Sequence, residues 1–164
     1  MGKKNLSVTL YLSELIYDVQ NKTYLTGRSR NNGKNYEQVA NMQANNDDED
    51  ENQIVRSIQS AYGTLKTKLS EYIDEDNTTT SDKLMDTTSN IIITLKMPSN
   101  YNQATTDTVS ASLHDYIVNS AIGDWFVITN KDDAENYVKL AIVNLEQIRE
   151  AINKRVRPSR AVVS

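Results

Sequence analysis

Residues 105–152, TTDTVSASLHDYIVNSAIGDWFVITNKDDAENYVKLAIVNLEQIREAI, decide the fold class. Val109, Leu113, Tyr116, Ile117, Ala121 and Ile128 recur at helical steps and mark one face of a helix from about 105 to 128. Trp125 and Phe126 crowd its end. Asn130 then has the chemistry of an N-cap, because its side-chain oxygen can accept from an orphan amide of the next helix. Asp132 and Asp133 place negative charge at the positive end of that helix dipole. Such a cap contributes about 0.5–2 kcal/mol. Beyond it, Val138, Ala141, Leu145, Ile148 and Ile152 form a four-three repeat, the packing seam of a bundle. The short turn ITNKD between the two helices predicts an antiparallel pair.

Upstream, Ile54, Ile58, Tyr62, Leu65, Leu69 and Ile73 predict a further helix over 53–73. Gly63 inside it costs about 1 kcal/mol against alanine, and its small size would admit a neighbouring helix. Residues 36–44 carry a helical start with Tyr36, Val39, Ala40 and Met42. Residues 6–12, LSVTLYL, alternate polar with apolar as a half-buried strand does, although a helix from about residue 9 competes. Ser13 could cap a short helix after that strand, with Leu15, Ile16 and Val19 on its apolar side. NIIITLKMP, residues 90–98, is a second strand ended by Pro98, and these two strands should pair. Two stretches lack any period: TGRSRNNGKN, 26–35, and the threonine-rich DEDNTTTSDKLMDTTSN, 74–90, with a short turn near 83–85. The expected fold is mainly α: a helical bundle with a small two-stranded β element (strands about 6–12 and 91–97) and long polar loops. The 164 residues fit one bundle domain over 1–155, with flexible loops at 26–35 and 74–90. An extended basic C-terminal arm, 156–164, follows.

Composition bounds the function. Net charge is −4 at pH 7, against broad sequence-independent DNA binding. Mean hydropathy is −0.60, so little apolar material is spare and a partner could supply some burial. The absence of cysteine rules out disulfides and thiolate metal sites. The N-terminal residues alternate and lack a signal-peptide core, and no run of about 18 apolar residues could span a membrane.

Motifs for chemistry are weak. The acidic run Asp47, Asp48, Glu49, Asp50, Glu51 fails the calcium-loop spacing, which needs glycine sixth and glutamate twelfth. Counted from Asp47 those places hold Asn52 and Ile58. The run suits the first turn of the following helix better. His114, the single histidine, lies near Ser110 and Asp115, but a lone Ser–His proximity is more often a solvated or interfacial histidine. The five glycines form no phosphate-cradling pattern, and no pair of carboxylates is selected by spacing. The expectation is no enzyme, no cofactor and no metal.

Nine tyrosines accompany one phenylalanine, a balance suited to wet interfaces. Tyr62, Tyr116 and Tyr137 fall on apolar faces; Tyr11, Tyr17, Tyr24, Tyr36 and Tyr101 are freer to meet partners. Basic residues gather in the 26–35 loop, as Arg28, Arg30 and Lys34, and in the tail, as Lys154, Arg155, Arg157 and Arg160. A helix dipole accounts for Lys154 and Arg155 alone. Arg155, Arg157, Pro158, Arg160, Val162 and Val163 in the arm, with Arg28 and Arg30, are the candidate partner-binding residues. Four tail cations on phosphates would give a salt slope of about −3.6, a weak DNA binder, and the apolar Val162 and Val163 suit a protein groove better.

The stretch LHDYIVNSAIGDWFVITNKDDAENYVKLAIVNLEQIREAINKRVRPSR, residues 113–160, resembles the end of head–tail connector (neck, adaptor) proteins of tailed bacteriophages and prophages of Bacteroidales. The matching pieces are Asp124-Trp125-Phe126, the Ile128-Thr129-Asn130 turn, the helix with Ala134 and Tyr137, and the basic Arg-Pro exit. YLSELIYDVQNKTYLTGRSR, residues 11–30, is similar to the same family, so the likeness covers about two-thirds of the chain. It implies a structural virion protein assembled in the bacterial host cytoplasm. It would form a homo-oligomeric ring, commonly twelve-fold, between portal and tail. Portal protein and tail or neck proteins would be its partners, DNA would meet it in passing through the channel, and no membrane is involved. The family has no catalytic residues to carry over. Two other functions remain open: another phage structural role, in head or tail completion or capsid association, and a small nucleic-acid-binding helical module.

Overall fold

The computed structural model describes residues 4–81 and 83–156. Strand β1 (Lys4–Tyr11) runs directly into α1 (Leu12–Ser29). Helices α2 (Tyr36–Met42) and α3 (Asp48–Lys68) follow, then β2 (Asn90–Met97), α4 (Thr106–Thr129) and α5 (Lys131–Ile152). Short 3-10 turns occupy Glu75–Asn77 and Gln103–Thr105. The fold is mainly α with one two-stranded antiparallel sheet, as the periodicity predicts.

Apolar residues occur all the way round α4, and a helix of that kind belongs in the middle of a bundle. Val109, Leu113, Ile117, Val118, Ile122 and Phe126 are all fully buried. The expected single apolar face is therefore too narrow, since Val118 and Ile122 point away from it. Around α4 stand α1, α3 and α5, with α2 against its last turns. Trp125 fixes that last contact: its Nε1 donates to the Met42 carbonyl at 2.8 Å. Ile128, expected inside, is 80% exposed, because Phe126 takes the inward direction at this end.

Asn130 alone separates α4 from α5, and its side chain caps α5 by accepting from the Asp133 amide. The α5 seam buries Ala134, Ala141, Leu145, Ile148 and Ile152. Val138 does not join it and is 45% exposed. It lies at the flank, over Gly123, where a Cβ would meet Val138 Cγ2 at 3.1 Å. Close helix approach thus occurs at Gly123. Gly63, expected to admit a neighbour, faces open space.

The acidic run opens α3, with Asp47 as N-cap accepting from the Asp50 amide at 2.8 Å. The helix ends at Lys68, five residues before the expected end at Ile73, which bridges Leu95 in the sheet. Ser13 makes no cap: α1 begins at Leu12 with Tyr11 before it, and no side chain caps it. The helix also continues through Thr26, Gly27, Arg28 and Ser29, which sequence assigns to a loop. Gly27 is buried there, and a Cβ would meet the Val39 carbonyl at 3.1 Å, so glycine serves α2 packing rather than a turn. Tyr101, expected free, is 2% exposed.

β1 and β2 pair from Lys4↔Met97 to Tyr11↔Asn90. Their inner face buries Val8, Leu10, Ile91, Ile93, Leu95 and Met97. The threonine-rich segment, expected to be a flexible connection, is bonded along the outer edge of β2. The Thr79 amide donates to Ile92 O at 2.8 Å, and the Ile92 amide to Thr79 Oγ1 at 2.9 Å. The Thr94 amide donates to Thr78 Oγ1 at 3.1 Å, and Thr94 Oγ1 to Asn77 O at 2.8 Å. The Asp74 amide reaches Thr94 O, and the Lys96 amide reaches Tyr72 O. Threonine hydroxyls here do what a third strand would do, which a search for apolar periodicity does not register.

Candidate functional site

The candidate partner-binding residues separate into three places. Arg157, Pro158, Arg160, Val162 and Val163 lie outside the described residues. Arg155 shows where their segment starts. It forms an antiparallel bridge with Tyr101, and its Nη1 donates to Ile152 O at 2.8 Å, closing the end of α5. On either side, the Asn102 amide donates to Lys154 O and the Val156 amide to Asn100 O at 2.7 Å. Arg155, the first of the candidate partner-binding residues in the arm, thus anchors the exit.

Arg28 and Arg30 part ways. Arg30 is engaged inside the subunit: Nε donates to Asp133 Oδ2 at 3.0 Å and Nη2 to Asp133 Oδ1 at 2.5 Å. Asn130 Nδ2 adds a third donor to Asp133 Oδ2 at 2.6 Å. The Asp133 side chain is buried, and hydrogen bonding from Arg30 holds its carboxyl below the usual carboxylate range, against the opposing effect of burial. The same pair raises the Arg30 guanidinium. Arg30, a candidate partner contact in the sequence, therefore locks the end of α1 to the start of α5, with its side chain still 54% exposed. Arg28 remains exposed in the last turn of α1. Tyr17 and Tyr24 share its face by helical spacing, and Tyr36 opens α2 beside them; they are 63%, 44% and 66% exposed. A Tyr–Arg surface of this kind has the composition of interface anchors. A pocket of about 300 Å³ between α1 and α2 carries Tyr24, Arg28, Asn31 and Val39 on its wall.

The third place was not found from sequence. Val127, Ile128, Val138, Leu140, Ile142 and Val143 are all exposed on the α4–α5 hairpin. The signal was available: α5 meets one helix along its length, α4, yet carries apolar residues at 138, 140, 142 and 143 beyond its seam. One seam cannot bury them. Leu140 also rims a groove of about 540 Å³ with Leu25 of α1, over a polar floor of Asp115, Asn119 and Asn144.

His114 pairs with Asp18, Nε2 to Oδ2 at 2.5 Å, and so ties α4 to α1. The Asp115 neighbour suggested by sequence is not its partner. Ser110 lines the same small pocket as His114, with Glu14 and Asp107, but no hydrogen bond joins its hydroxyl to the ring among the described residues. No group of three or more His, Asp or Glu side chains is disposed to hold a metal ion among the described residues. The arrangement presents three surfaces suited to contact: exposed apolar residues on the hairpin, a Tyr–Arg face and the exit after α5. Compared with known proteins, the chain matches no family model, no curated protein and no solved structure.

Proposed function

We propose that the chain is a structural subunit of a tailed-phage virion, a head–tail connector that assembles as a ring between portal and tail. The observation that carries this reading is the apolar surface of the α4–α5 hairpin. Soluble monomers expose large apolar residues singly, whereas grouped ones mark contact with another protein. Six such residues lie on the hairpin, and two of them, Val138 and Ile142, stand one turn apart on the same flank of α5, while Ile128 at the end of α4 is 80% exposed. A ring requires two different patches per subunit, each meeting the other on its neighbour. The Val138–Ile142 flank of the hairpin and the Tyr17–Tyr24–Arg28 face are two different surfaces of this kind. The sequence resemblance supplies the virion setting, the twelve-fold symmetry and the passage of DNA through the lumen.

Native mass spectrometry and negative-stain electron microscopy test this. The full chain is examined alone, then mixed with the portal and tail proteins of the same phage genome. Rings seated on the portal are the expected result. A chain that binds neither head nor tail component sinks the proposal, and one that coats the capsid surface instead moves it to a decorating role.

A further inference from the structure

Among the described residues the two-stranded sheet has one unoccupied edge. In an antiparallel pair, directly opposed residues either bond to each other or both point outward. On β2 the outward residues are Ile92, Thr94 and Lys96, since their backbone groups bond to the 72–79 segment. Their register partners on β1 are Thr9, Ser7 and Asn5. The backbone N–H and C=O groups of these three residues therefore face away from β2. Among the described residues none of them has a hydrogen-bond partner, and all three residues are exposed. Such an edge is a template for an added strand.

The edge also has a seam beside it. A pocket of about 340 Å³ at the Lys4 end is lined by Lys4, Leu6, Tyr101 and Thr106. A second, of about 330 Å³ at the Tyr11 end, is lined by Thr9, Tyr11, Glu14, Asp107 and Ser110. Glu14 and Asp107 are exposed carboxylates along this path.

We propose that residues 157–163 of a second copy of this chain, RPSRAVV, add a strand to the β1 edge. The inference rests on the reading of the chain as a self-assembling subunit and names the surface involved. The eight residues after Val156 reach about 26 Å when extended, roughly the length of β1. Arg160, on the strand face shared with Val162, supplies a fork for the carboxylates Glu14 and Asp107. Ala161, Val162 and Val163 supply small and β-branched residues with free amides. Pro158, which has no amide, stands at the start of the added strand, where proline is tolerated. The exit brings the chain to the Met97 end of the sheet. The turn at 98–101, closed by the Tyr101 amide on Pro98 O at 3.0 Å, reverses the chain after β2. Arg155 runs antiparallel to Tyr101, so 154–156 head out past the Met97 end of the sheet.

The chain has no cysteine, so introduced ones report unambiguously. Full-length Ser7→Cys and full-length Val162→Cys are mixed and treated with a short bismaleimide, with Lys139→Cys, on the exposed face of α5, as the control partner. Cross-linking of Ser7→Cys to Val162→Cys should run about tenfold faster than the control, because docking raises the effective concentration. Equal rates, no cross-link, or a double variant that links within one chain in preference to between chains overturns the proposal. Full-length Ser7→Pro, which loses an outward amide, should lose oligomers while keeping its far-UV circular dichroism. Rings that persist in Ser7→Pro with no selective cross-link would refute the edge docking and leave the connector reading standing. A selective cross-link with no ring on the portal would keep the docking and overturn the connector reading.

Discussion

The two edges of one small sheet are treated oppositely. β2 carries Ile92, Thr94 and Lys96 outward, and every one of their outward amides is bonded, two of them to threonine hydroxyls. β1 carries Asn5, Ser7 and Thr9 with outward backbone groups that make no bond among the described residues. The strands have equal length and a common inner face, so strand propensity does not set the difference. What sets it is the chain beside each edge. A polar segment that supplies hydroxyls at the spacing of the ladder closes an edge as well as a strand does, and an edge without such a segment stays available.

The largest effect should come from opening the closed edge. Thr78 is 8% exposed, and its hydroxyl both accepts from the Thr94 amide and donates to Thr94 O. Thr78→Val keeps the shape and removes both bonds, leaving a buried amide without a partner. The expected loss is about 2–3 kcal/mol in urea denaturation, with faster amide exchange at Thr94. A loss below about 0.5 kcal/mol would mean that water replaces the hydroxyl, and the seal would not be structural.

A second closed contact lies between helices. Asp133→Asn weakens the Arg30 fork and should lower the urea midpoint, by less than Thr78→Val does. The wild-type contact has a definite pH sign. The Asp133 carboxyl is held below its unfolded value, so the unfolded chain binds the proton more tightly. The contribution is present above the unfolded carboxylate value and is lost as pH falls through the folded one. Thermal midpoints should fall more steeply in acid for the wild type than for Asp133→Asn. Parallel acid limbs would show that the fork contributes nothing.

Glycines give the same contrast on a smaller scale. Gly63 sits in α3 with nothing within 4 Å of an added Cβ, so Gly63→Ala should stabilise by about 1 kcal/mol. Gly27 is also helical, but its Cβ would press on the Val39 carbonyl at 3.1 Å. Gly27→Ala should gain less than Gly63→Ala or destabilise, as α2 gives way. Equal gains at both sites would show that α2 does not hold its place against α1.

How far sequence led follows from the physical signal each element carries. The α4–α5 pair, the Asn130 cap and the pairing of 6–12 with 91–97 were legible because apolar periodicity and a capping side chain encode them directly. Gly27 and Arg28 read as loop because glycine between polar residues signals a turn unless a packed neighbour is known. Thr78 and Thr79 read as unstructured because a seal of hydroxyls has no apolar period. Arg30 gave no hint of Asp133, 103 residues away. Val138 shows a subtler limit: the four-three repeat included it, but one residue of rotation placed it over Gly123 and left it half exposed.

The smallest expected effect is the one that isolates the open edge. Ser7 and Thr94 are register partners, so a proline at either position removes one outward amide. At Thr94 that amide is bonded to Thr78 Oγ1, so Thr94→Pro should be strongly destabilising. At Ser7 the amide has no bond among the described residues. The change there removes the Ser7 hydroxyl contact with Thr94 Oγ1 at 2.9 Å, worth about 0.5–1.5 kcal/mol. Ser7→Ala removes the same hydroxyl and keeps the amide, so the difference between Ser7→Pro and Ser7→Ala measures the amide alone. In dilute monomer that difference should be close to zero, and the wild-type Ser7 and Thr9 amides should exchange faster than those of Ile92 and Thr94. A large penalty for Ser7→Pro over Ser7→Ala in the monomer would mean that β1 is already paired within its own subunit. The edge would then be closed, and the contrast between the two strands would disappear.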